Sequence, residues 1–206
     1  MRWTAIALGC GALVLAGCGT DGSTQSVQVD SGQAAVSSEF RVSQAEIADD
    51  VALVLSGQGL PPGEPPAGLA GATTERVVRD RLVSSYAEGN GIELTRTQVE
   101  QSLEQLASAN GGEEALNNLA LQSGIPPQAL EEYVRTDLLV TAIGQKLDAA
   151  GDEAAQLEAA RAALSEYSAA IDVEVSPRYG TWDDAQLQIV PGSELSTPDS
   201  GEQATS

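Results

Sequence analysis

Few side chains in this sequence can do covalent or acid–base chemistry. The 206 residues contain no histidine, two cysteines (Cys10 and Cys18) and a single lysine, Lys146, against 30 Asp plus Glu. Without His there is no Ser-His-Asp or Cys-His nucleophile, no imidazole proton shuttle and no HExxH-type zinc site. Glu113-Glu114, Glu131-Glu132 and Asp183-Asp184 are adjacent acids. Neighbouring helical side chains diverge, so these read as solvated faces or helix N-terminal charge rather than catalytic pairs. Asp49-Asp50 lacks the alternating ligand spacing of a calcium loop. Lys146 with a nearby Ser would make a Ser-Lys dyad, but a lone Lys late in a helix normally serves the helix dipole. No catalytic residue, metal or cofactor is expected, and no small-molecule substrate. At a formal charge of −20 the chain would repel a phosphate backbone, so no nucleic acid is expected either.

Cys18 is the chemically distinctive residue. Arg2 precedes an uncharged run, TAIALGCGALVLAG, which ends in Leu15-Ala16-Gly17-Cys18. One basic residue and about a dozen apolar or small ones form a secretion signal, several residues short of a comfortable membrane span. The ending resembles the lipobox of bacterial lipoproteins: cleavage falls between Gly17 and Cys18, and the Cys18 thiol receives the lipid. That reading removes Cys10 with the leader and commits Cys18, leaving no thiol for a disulfide or redox role. More than one acyl chain is needed for a stable anchor.

The remaining sequence must position whatever binds. Residues 18–33 are Gly/Ser/Thr/Gln-rich and predict a flexible tether; residues 191–206 predict a disordered tail. Between them, 34–190 reads as one mainly α domain of about six helices with a small edge sheet. Ser43 and Glu46 have capping-box spacing, with Val42 and Ile47 as a hydrophobic staple, and predict a helix over 43–56. Thr95 and Gln98 repeat the device, with Leu94 and Val99 as the staple. Val78, Leu82 and Tyr86 stripe a helix over 73–87, after a Pro/Gly-rich linker at 57–71 that reads as mobile or partner-facing. A short helix carries Leu116 and Leu119. Pro126-Pro127 opens what reads as the longest helix, whose wide apolar face includes Leu138, and another spans about 152–170. Ile171–Val175 then alternates apolar and polar, a strand whose partner is Ala34-Ala35-Val36, and 176–189 predicts a hairpin.

This order, with AAVSSEFRVSQAEI near the start, GIELTRTQVE in the middle and VEVSPRYGTWD at the end, resembles the chaperone domain of the SurA, PrsA and trigger-factor group. It is similar to the SurA-N-type lipoproteins of actinobacteria. The resemblance covers roughly 34–190 and implies an N-terminal strand and helices wrapped around a C-terminal helix and strand, with an apolar cradle for peptides. SurA and PrsA relatives carry parvulin domains; here no segment has room for one and the His residues of a parvulin site are missing. Peptide holding carries over, and prolyl isomerisation does not.

The expected function is a lipid-anchored extracytoplasmic holdase for unfolded or nascent secreted polypeptides, independent of ATP and not an enzyme. The alternative is a structural lipoprotein that recruits one folded envelope partner through the 57–71 loop. Candidate client-binding residues are Val78, Leu82, Tyr86, Leu138, Tyr179 and Trp182. The Arg178–Trp182 segment has two readings. It is either an aromatic contact for peptides or, favoured, a structural cluster with Tyr179 and Trp182 packed on helix ends and Arg178 paired to a carboxylate. Cys18→Ser should release the chain from the membrane pellet on cell fractionation. Retention of the variant in the pellet would refute the anchor.

Overall fold

Two helix starts form where the spacing of their polar residues demands. In the computed structural model, which describes residues 28–190, Ser43 Oγ accepts the Glu46 N–H at 3.1 Å and begins α1 (Gln44–Gly57). Glu46 does not complete that box; its carboxylate meets Arg81 at 3.0 Å instead. Thr95 begins α3 (Arg96–Ala109) with the complete device: the Gln98 N–H reaches Thr95 Oγ1 and the Thr95 N–H reaches Gln98 Oε1. The staple residues Val42, Ile47 and Val99 are all buried. Asp152 caps α6 (Glu153–Ala170) by accepting from the Ala155 N–H at 2.9 Å.

Between α1 and α3 lies α2 (Leu69–Gly89), which at 21 residues is the longest helix and starts four residues before Thr73. Burial explains the extension, because Leu69 and Ala70 pack against the first core cluster. Its start needs Gly68, whose φ of 86° falls in the left-handed region that side chains resist. α4 spans Glu113–Gln122. Pro126-Pro127 leads into a short 3₁₀ turn, Pro127–Ala129, and only then into α5 (Leu130–Leu147). α5 is central as its wide stripe required, packing against α2, α3 and α6.

The strand expected over 171–175 forms only at its end, because Ile171 closes α6 and Asp172 turns with a φ of 56°. β1 (Gln33–Val36) runs antiparallel to β3 (Glu174–Val175), with Ala35 opposite Val175. β4 (Thr181–Asp183) and β5 (Gln188–Val190) form the hairpin. β2 (Arg41–Ser43) was not foreseen; it adds to the free edge of β1 and gives the order β2-β1-β3. Gln33, expected in the tether, is already the first residue of β1, and its carbonyl accepts from Gln44 Nε2.

Three clusters fill the interior. One joins the sheet to α1 and the first half of α2, a second joins α2 to α5 and α6, and a third joins α3, α4 and α5. At the α5–α6 contact, Gly144 is buried, and a Cβ there would press into the backbone carbonyl of Gln156. Ala normally favours a helix interior over Gly by about 1 kcal/mol. Here the steric cost is larger, on the order of 1–3 kcal/mol for a group forced into a packed contact. Gly144→Ala should therefore lower the thermal midpoint measured by circular dichroism; a raised midpoint would show that α5 and α6 can part freely.

Candidate functional site: an apolar groove beside the first helix

Helical periodicity puts Ala45, Ala48 and Ala52 along one side of α1, next to Ile47, Val51 and Leu55, which are buried in the core and also border the groove. Alanine is too short to fill the space outside this face. A groove of about 660 Å³ runs along it. Its opposite wall is the Pro/Gly-rich segment, through Leu60, Pro62 and Pro65. That segment is tied at both ends: the Leu60 N–H donates to Leu55 O at 2.8 Å, and the Leu69 N–H donates to Pro66 O at 3.1 Å. Gln58 Nε2 also bonds the Leu121 carbonyl. The linker is thus one side of a binding space, which composition alone did not reveal.

Gln44, Arg178 and Tyr179 close the groove where α1 begins. Arg178 Nη1 donates to Gln44 Oε1 at 2.8 Å, and the guanidinium lies over the Tyr179 ring, 5.3 Å from its centroid. The expected carboxylate partner is not found: among the described residues no Asp or Glu lies within ion-pair distance of Arg178, since the β3–β4 turn aims it along α1.

The cradle candidates scatter. Val78 and Leu82 are fully buried and Trp182 is 7% exposed, all within the first core cluster, so these three offer no surface to a client. Their stripe faces inward because α2 is covered by α1, α5 and α6. Trp182 donates to Ser168 Oγ at 2.8 Å, and Ser168 in turn bonds Asp184. Tyr86 is half-buried, its ring edge-on to Tyr167 at 5.3 Å. Leu138 packs against the third cluster. Of the six, only Tyr179 lines the groove. The residues that build its floor, Ala45, Ala48 and Ala52, were passed over because alanine reads simply as a helix former.

No protein-family model, curated protein or solved structure matches this chain.

The other polar groups serve structure. Glu131 and Glu132 both approach Arg135, at 3.8 and 3.7 Å. Asp183 accepts from the Ala185 and Gln186 N–H groups, and Lys146 bonds the Asn90 carbonyl at the end of α2. Among the described residues no three His, Cys, Asp or Glu are grouped to hold a metal, and no helix is long and apolar enough to cross a membrane. The leader, Gly17, Cys18 and the 191–206 tail lie outside the described residues.

Behind α1 sits a part-buried ion network. Arg76 of α2 pairs with Asp50 of α1 and, at 3.1 Å, with Asp80; Asp80 also accepts from Thr136 of α5 at 2.8 Å. Burial pushes the Asp80 carboxyl above its ordinary value of 3.8, against the Thr136 hydrogen bond and the Arg76 charge, which pull it down. The folded state therefore holds this proton more tightly than the unfolded chain does. Asp80's contribution to stability is greatest below pH 3.8 and is lost as pH rises through its raised value. In urea unfolding from about pH 4.5 to about pH 8, wild type should lose stability relative to Asp80→Asn as pH increases. A difference that stays flat or grows with pH would remove Asp80 as the source.

Proposed function

We propose that this chain is a non-catalytic holdase that takes short apolar stretches of unfolded secreted polypeptide into the groove beside α1. The observation that carries this reading is the groove itself. About 660 Å³ is walled by Ala, Val, Leu and Pro, is open to solvent and contains no group able to move a proton at neutral pH. An alanine floor lets an incoming backbone approach closely, and aliphatic walls accept many sequences, which suits a client set defined by apolarity rather than by a motif.

The Leu15–Cys18 lipobox supports a position at the outer face of the membrane, with the residues between Cys18 and β1 spacing the domain from the lipid. The negative charge favours a domain held off an anionic surface rather than lying on it. The antiparallel pairing of β1 with β3, which joins the two ends of the helical run, supports this reading. A rival reading, recruitment of one folded partner through the 57–71 loop, is less well supported because that loop is engaged as a groove wall.

The chain lacking residues 1–18 should slow the aggregation of a chemically unfolded client at near-stoichiometric ratio, followed by light scattering. Ala52→Trp, at an exposed position on the floor, should abolish the effect without lowering the thermal midpoint. No suppression by the parent chain, or suppression untouched by Ala52→Trp, would overturn the reading.

A further inference from the structure

The lining of the groove inverts the charge of the molecule. The chain carries 30 acids and a formal charge of −20, yet no Asp or Glu lines the groove. Its one formal charge is Arg178, at the end where α1 begins and where the helix dipole is also positive. Among the described residues Arg178 uses only Nη1, on Gln44. The Nε–Nη2 edge, the fork that takes a carboxylate with two parallel hydrogen bonds, is left free. Stacking on Tyr179 and the bond to Gln44 hold the guanidinium in place, so little rotamer freedom remains to be lost on binding.

From this we infer that the groove selects apolar stretches flanked by an acidic residue, whose side-chain carboxylate pairs with Arg178. The inference rests on the holdase reading and names its client class. Geometry sets the length of the stretch. From Gln44 to Ser56 the floor runs about 18 Å at a helical rise of 1.5 Å per residue. An extended chain covers that distance in about five residues.

The carboxylate belongs to an internal side chain rather than to a chain end. Arg178, Tyr179 and Ala70 also line a shallower depression of about 510 Å³ that continues past Gly71 toward Ile189. A client can therefore run on beyond Arg178. Glu75 stands in that depression, its carboxylate accepting the Ile189 N–H, and makes the far side unfavourable for a terminal negative charge. The molecule's overall repulsion of acidic chains is long-ranged and falls away beyond about 8 Å at physiological salt, whereas the pairing at Arg178 is a contact.

The test is fluorescence anisotropy at about 0.15 M salt, with the full chain carrying Cys18→Ser and four labelled peptides. Each has the same five apolar residues. Three have blocked ends and place Glu, Gln or Lys after the stretch, and the fourth ends there in a free carboxylate. The Glu peptide should bind about tenfold more tightly than the Gln peptide, and the Lys peptide more weakly than either. Arg178→Gln, at an exposed position, should bring the ratio of Glu to Gln peptide affinities to about one, whatever it does to both, and Arg178→Lys should restore part of the ratio. Equal binding of Glu and Gln peptides overturns the inference and leaves the holdase reading standing. Tighter binding of the free-ended peptide than of the Glu peptide overturns the assignment to an internal side chain. If no peptide binds, the holdase reading itself fails.

Discussion

The groove depends on α1 being held rigidly from behind, and the group that does this is Arg76. Its guanidinium joins Asp50 on α1 to Asp80 on its own helix, and Asp80 passes the connection to Thr136 on α5. Such a network is unforgiving. Asp80 is buried while Arg76 and Asp50 keep some contact with solvent, and moving the helices apart would leave one of the three groups without its partner. Arg76 Nε is already without a hydrogen-bond partner among the described residues, which leaves the network little to spare. Asp50 therefore sets where α1 stands, and the alanine face opposite Asp50 becomes the floor of an open space rather than a contact with another helix.

Long-range connectivity completes the site. Gln44 and Arg178 are 134 positions apart, and they meet because β1 and β3 zip the two ends of the domain together beside the start of α1. The hairpin that follows is fixed by Trp182, whose indole N–H finds Ser168 in the core. Of the two readings of the Arg178–Trp182 segment, peptide contact or structural packing, the second describes the place of Trp182. Arg178 departs from the same reading because the turn it sits in points away from the acidic helix faces and toward the groove mouth.

How much of this was legible in the sequence follows from the range of each interaction. Ser43, Thr95 and Asp152 announce their helices because a cap is satisfied within three residues. The β1–β3 pairing was readable because an apolar stretch, Ala34-Ala35-Val36, and an alternating one, Ile171–Val175, flank a helical interior. Which residues line the groove was not. A stripe such as Val78, Leu82 and Tyr86 has the same period whether it faces a core or a client, and only the tertiary partners of α2 decide. The groove leaves a fainter trace still, since its floor is made of the residue with least to say, and its wall is a loop whose composition suggests freedom of movement.

The proposed holding without catalysis draws on the same parts. A site that must accept many sequences draws its affinity from apolar area and shape, which are indifferent to direction along the chain. An alanine floor provides that indifference but also allows an occupant to slide or reverse. A single fixed cation at one end breaks the symmetry, because only one registry brings a carboxylate to Arg178 while the aliphatic residues lie over Ala48 and Ala52. On that reading the groove's one charge supplies orientation more than strength, in a molecule whose net charge has the opposite sign.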